Sequence, residues 1–176
     1  MPLKAFRAWL GVDAPERPEL TALRETLDAL DSLEPARARY LAAFAYLLGR
    51  VANADQHASA EETRTMETRT METLVREHGQ LSEEQAMVVV QLAKTNNLLF
   101  GGTDNFLVAR EFSLLATYPE KLALMRCLFA VSASDERISI SEEGEIHRVA
   151  SELLIEREDL VRLRLEHRRH LPGLSG

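Results

Sequence analysis

Setting Asp55 over Asp135 brings two stretches of the chain into register: Leu48 falls over Leu128, Val51 over Val131, Ala54 over Ser134, Ser59 over Ser139 and Glu62 over Glu142. Each stretch reads as an apolar helix, an acidic turn, and a second helix opened by a serine with a glutamate three residues on. In that pattern the serine hydroxyl and the glutamate carboxylate satisfy each other's orphan backbone amides. A unit of this kind cannot bury its own apolar face, so two copies are expected to pack on each other about an approximate two-fold axis. The doubling therefore predicts an all-α fold, a bundle of about eight helices with an internal pseudo-two-fold repeat. The domain is expected over 35–176, with repeat halves at about 35–100 and 104–171, and an N-terminal helical extension over 1–34 capping the bundle.

Apolar spacing places the helices. Leu20, Leu23, Leu27 and Leu30 form one stripe between Pro18 and Pro35, because proline suits a first turn and not an interior. The next helix carries Tyr40, Leu41, Phe44, Leu47, Leu48 and Val51 on one broad face and runs to Asp55. A third begins after Ser59 and ends at His78-Gly79-Gln80; a fourth begins at Ser82 and holds the run Met87-Val88-Val89-Val90, which a strand would also suit. After the break at Gly101-Gly102-Thr103-Asp104 come a short helix around Phe106 to Leu115 and a helix opened by Tyr118-Pro119-Glu120 that ends at Asp135. Ser139 then opens a helix with Ile146, Val149, Ala150, Leu153 and Leu154 on its buried side, and a last helix is expected from about Glu156 to His170.

One passage breaks the repeat. Thr63-Arg64-Thr65-Met66-Glu67 is followed at once by an identical Thr68-Arg69-Thr70-Met71-Glu72, and removing either copy restores Leu74 and Val75 against Val149 and Ala150. Five added helical residues lengthen a helix by about 7.5 Å and turn its two parts by roughly 140°. The expectation is a longer helix with a solvent-exposed extra turn, or a local bulge, near Thr63 to Thr70.

Composition narrows the function. A net charge of −7 repels nucleic-acid phosphates and favours cationic partners, metal ions included. The basic run on the last helix, Arg162, Arg164, His167, Arg168, Arg169 and His170, suits the negative end of a helix rather than a phosphate backbone. Cys127 is the one cysteine, set among apolar residues, which fits a core position and a reducing, cytoplasmic compartment. No leader-like opening and no apolar run of about 20 residues suggests export or a membrane span. Leu3, Phe6, Trp9 and Leu10 beside Lys4 and Arg7 make a short amphipathic stretch expected to pack on the bundle. Catalysis is not expected. The chain has no glycine-rich phosphate loop, no His-Glu-x-x-His and no histidine with a glutamate three residues before it, as a di-iron bundle would need.

The doubled phrase is familiar. Val51-Ala52-Asn53-Ala54-Asp55 with Ser59 and Glu62, and Val131-Ser132-Ala133-Ser134-Asp135-Glu136-Arg137-Ile138-Ser139 with Glu142, resembles the TerB-like tellurite-resistance family over about Arg39 to Leu171. The resemblance implies an all-helical fold with pseudo-two-fold symmetry, two acidic clusters that bind a divalent metal ion, and work in stress resistance beside membrane-associated and cytosolic protein partners. By position the clusters map to Asp55, Glu61 and Glu62 in the first half and to Asp135, Glu142 and Glu143 in the second. The chain departs from the family where Gln56 and Glu136 replace the usual glycine, which strains any left-handed turn there.

An aspartate seven residues before a glutamate across a turn can bring two carboxylates onto one hard cation. The structural alternative is that the aspartates end helices while Glu62 and Glu142 serve as caps, since neither loop has EF-hand spacing. His57 beside Asp55, or His147 one turn from Glu143, would suit zinc only with further soft ligands. The expected function is a non-catalytic TerB-like module whose acidic turns bind a divalent cation or a basic partner, with a metal-free adaptor for protein–protein contacts as the alternative.

Overall fold

An eighteen-residue helix, α1 (Pro35–Ala52), runs through the middle of the protein and is buried on nearly every side. Its start is set locally: Pro35 occupies the first turn and the Glu34 carboxylate accepts the Arg37 amide at 3.1 Å. The sequence suggested one broad apolar face, but Ala38, Ala42, Ala43 and Ala45 are buried as fully as Leu41, Phe44 and Leu47. Small alanine faces let neighbours approach where the leucines do not point, and a helix apolar all round belongs in the interior. The computed structural model describes residues 28–54, 61–99, 105–134 and 136–171; the remainder, including the stretch that carries Trp9 and most of the Leu20–Leu27 stripe, lie outside the described residues.

Around α1 stand α2 (Glu61–Gly79), α3 (Glu83–Leu99), α4 (Asn105–Leu115), α5 (Tyr118–Ala133), α6 (Ile140–Glu152) and α7 (Arg157–Glu166), followed by a short 3-10 turn, Arg168–His170. Among the described residues every regular element is helical, so the valine run of α3 is helix and not strand. α1 packs against α3, α4, α5 and α6, while α2 lies on α5 and α3, and α7 on α5. α5 is the second interior helix, with Leu124, Met125, Leu128 and Phe129 fully buried. Phe112 of α4 joins the core by stacking on Tyr40 at 5.2 Å and meeting the edge of Phe44 at 6.1 Å. Residues 28–31 are helical and Leu30 is buried in this same core, so the end of the N-terminal extension is part of the bundle. Among the described residues no helix is long and apolar enough to cross a membrane.

Local chemistry opens the helices. Ser139 and Glu142 form the expected box, the Ser139 amide donating to Glu142 Oε2 at 2.8 Å and the Glu142 amide to Ser139 Oγ at 3.1 Å. Ser82 and Gln85 make a similar exchange ahead of α3, and both the amide and the hydroxyl of Thr117 donate to Glu120 at 2.8 Å ahead of α5.

Helix ends hold the surprises. Gly79 looked like a stop signal, yet it is helical; a Cβ there would sit 3.2 Å from both Cys127 Sγ and Phe44 Cζ, so glycine is needed for the close approach of α2 to the interior helices. The left-handed residue that ends α2 is Gln80, with φ 55°. Leu154, expected on the buried side of α6, is 77% exposed, because the helix stops at Glu152 and Leu154 takes φ 57°. Two bonds close that end, Leu154 N–H to Ser151 O at 3.2 Å and Ile155 N–H to Ala150 O at 2.9 Å, which is a Schellman motif with leucine where glycine is usual. The last helix likewise stops short of His170. It ends at Glu166 and tightens into the 3-10 turn, which turns Leu171 into the core at 1% exposure and lets the His170 carbonyl accept the Ile138 amide at 2.8 Å.

α2 is nineteen residues long against thirteen for α6, and it runs through both pentapeptide copies as one unbroken helix. Glu67, Arg69 and Thr70 are exposed, Met71 is half-buried against the core, and the Thr68 hydroxyl meets Lys94 of α3. The Met66 side chain lies outside the described residues.

Candidate functional site

The acidic residues singled out by position fall into two sets. In the first, Asp55 lies outside the described residues; Glu61 and Glu62 occupy the first turn of α2, their side chains also outside the description. Asp135 of the second set, and His57, are likewise outside it. Glu142 and Glu143 are described, and both are engaged. Glu142, 7% exposed, holds the Ser139 amide and so pins the start of α6. Glu143 Oε1 accepts Arg164 Nε at 2.6 Å, tying α6 to α7, and lies 4.0 Å from His147 Nε2. Among the described residues no group of three or more histidine, cysteine, aspartate or glutamate side chains is arranged to hold a metal ion.

The turn that follows α5 takes the conformation its sequence makes costly. Glu136 has φ 69°, the left-handed region, where a side-chain-bearing residue costs roughly 1–2 kcal/mol. Its carbonyl is 2.9 Å from His170 Nδ1, so the 3-10 turn at the end of the described chain braces the acidic turn from outside. His167, one turn earlier, stacks on Phe129 at 5.7 Å. The two histidines thus serve packing and bracing.

The largest buried polar feature was not anticipated. Arg50, with a side chain 8% exposed, donates Nη1 and Nη2 to the two oxygens of Glu152 at 2.7 and 3.0 Å, and its Nε to Glu145. Burial alone would lower the guanidinium pKa, but the hydrogen bonds to Glu152 and Glu145 outweigh it and the net shift is upward. The cluster fastens the last turn of α1 to α6. A hint was present in the sequence: an arginine inside the apolar run Leu47-Leu48-Gly49-Arg50-Val51 has to find a counter-charge when that run is buried.

Other reactive groups are similarly tied down. Burial pushes the Cys127 thiol up to about 12, so it is not an ionised nucleophile at neutral pH. Burial, then the nearby Glu120 carboxylate, raises the Tyr40 phenol. The Tyr118 hydroxyl donates to Asp159 Oδ2 at 2.7 Å and accepts the Glu156 amide at 3.0 Å, clamping the start of α7 to the start of α5. A half-open groove of about 260 Å³ lies between α2 and α3, and its charged lining, Arg69, Glu72, Arg76 and Glu83, is balanced in sign.

Compared with known proteins, residues 41–165 match the family model described as tellurite resistance protein TerB. No curated protein and no solved structure matches the chain.

Proposed function

Since the chain belongs to the tellurite resistance protein TerB family, we propose that it is a non-catalytic helical module of a cytoplasmic stress response, working through contacts with other proteins. The observation that carries this reading is the engagement of its chemically able side chains in architecture. Arg50 with Glu145 and Glu152, Glu143 with Arg164, Glu142 with Ser139, and Tyr118 with Asp159 each join helices or start them. Cys127 is held as a thiol in the core. Groups committed in this way support a rigid body that presents a surface, with partners that include membrane-associated proteins.

A second reading, divalent-cation binding, is favoured by the first acidic turn and disfavoured by the second. A cation at Asp135, Glu142 and Glu143 has to displace Arg164 from Glu143 and draw Glu142 away from a helix start. The residues of the second turn therefore fit the ion poorly, and Asp55, Glu61 and Glu62 remain the candidate ligands. Calorimetric titration with magnesium, calcium, manganese and zinc tests this. One site, lost in Asp55→Asn and Glu62→Gln but kept in Glu143→Gln, supports cation binding at the first turn; no heat at millimolar ion leaves the metal-free adaptor.

A further inference from the structure

We propose that the outer face of α4 is the docking site of the chain's own N-terminal leucine stripe, Leu20, Leu23 and Leu27. Phe106, Leu107 and Leu114 are 64%, 51% and 74% exposed, while Val108, Ala109 and Phe112 on the other side of the same helix are buried. Spacings of one, four and eight residues put Phe106, Leu107, Arg110 and Leu114 on one side. Exposed apolar residues scattered singly need no explanation, but three of them on one side of an eleven-residue helix make a patch. Arg110 stands in its middle, and no carboxylate among the described residues pairs with it. The occupant should bring an apolar row with a carboxylate beside it.

The chain ahead of residue 28 answers to that description and is tethered at the right place. Leu30 is buried, and Leu27, Leu23 and Leu20 precede it by three, seven and ten residues, all at the spacing of one helical stripe. Glu19 flanks the stripe, four residues before Leu23. The helix that begins a few residues later, α1, lies directly on α4: Arg39 is 3.5 Å from Glu111, and Tyr40 stacks on Phe112. At about 1.5 Å per helical residue, Leu20 to Leu27 covers about 10.5 Å and Phe106 to Leu114 about 12 Å, so the two rows match in length. A short tether gives the segment an effective concentration on the order of millimolar, which lets a patch too small to hold a separate protein hold this one.

The test uses the full chain, whose native thiol, Cys127, is buried. Under mild oxidation at low protein concentration, Leu23→Cys combined with Leu114→Cys is expected to form an intramolecular disulfide about tenfold faster than Leu23→Cys combined with Glu77→Cys, an exposed position on α2. The rate should not change on dilution, and adding Arg110→Glu should slow it several-fold by roughly the worth of one charge contact. Leu20→Cys with Leu107→Cys gives a second, independent pair should the first disturb folding. Equal rates at Leu114 and Glu77, or a disulfide that joins two copies of the chain, overturns the proposal.

Discussion

Replacing Arg50 by methionine should cost this protein about 2–3 kcal/mol, close to the full worth of breaking a buried ion cluster. Methionine keeps most of the apolar stem, so the loss is chiefly electrostatic. With the guanidinium gone, Glu152 loses a two-pronged partner at 2.7 and 3.0 Å, while Glu145 keeps Arg148 at 2.8 Å. Orphaning a fully buried charge costs about 3–5 kcal/mol. The carboxylates here are 12% and 21% exposed, so water recovers part of that. In urea, with a slope of about 2 kcal/mol per molar, the midpoint should fall by roughly 1–1.5 M with the slope unchanged. Arg50→Lys should lose nearly as much, because an ammonium cannot reproduce the fork that meets both Glu152 oxygens and Glu145. Removing all three charges together, as Arg50→Met with Glu145→Leu and Glu152→Leu, should return stability to within about 1 kcal/mol of the parent, since well-packed apolar groups replace a buried ion cluster at little cost. A midpoint for Arg50→Met within about 0.3 M of the parent would refute the reasoning, as would a triple variant less stable than the single one.

Backbone strain and close packing supply the other expectations. Leu154→Gly and Glu136→Gly each relieve a left-handed side chain and, net of the glycine's greater unfolded-state freedom, should raise stability by about 0.5–1 kcal/mol by thermal or urea melting. A loss at Leu154 would show that its exposed side chain is held by something. Gly79→Ala should lose about 1–3 kcal/mol, because its new methyl meets Phe44 and Cys127 at 3.2 Å, whereas Gly144→Ala, with nothing within 4 Å, should gain about 0.5–1 kcal/mol from helix propensity. Cys127 sets a pH dependence. Its folded pKa of about 12 lies above the ordinary 9.0, so the unfolded chain releases this proton first. The cysteine's contribution is intact below pH 9 and is lost as pH rises from 9 toward 12, with a slope approaching about 1.4 kcal/mol per pH unit. Cys127→Ala should flatten that slope in urea titrations between pH 8 and about 10.5.

What could be read in advance was what is decided locally. The Ser139–Glu142 box involves residues three apart, and the burial of Leu128, Phe129, Ile146 and Val149 follows from spacing along single helices. Arg50 was illegible for the opposite reason. Its partners lie 95 and 102 residues away, and no window along the chain contains them. Gly79 was misread because a glycine demanded by a neighbouring helix leaves the same mark in sequence as one demanded by a turn. Leu154 was assigned to the buried stripe because apolar spacing continues past the point where the backbone of α6 has already turned. The acidic candidates were chosen by position in the repeat. Position could not tell that Arg164, twenty-one residues beyond Glu143, would arrive as its counter-charge.

The unbroken passage of α2 through two copies of Thr-Arg-Thr-Met-Glu has a consequence for how such a chain can change. Because the rod's anchored end is the one bearing Val75 and Gly79, inserted turns accumulate toward its free beginning, and the interior need not be rebuilt to receive them. A third copy would push the first acidic turn outward by another step of about 7.5 Å, and losing one would draw it back. Reach, in this architecture, is adjustable in whole increments of a single five-residue word.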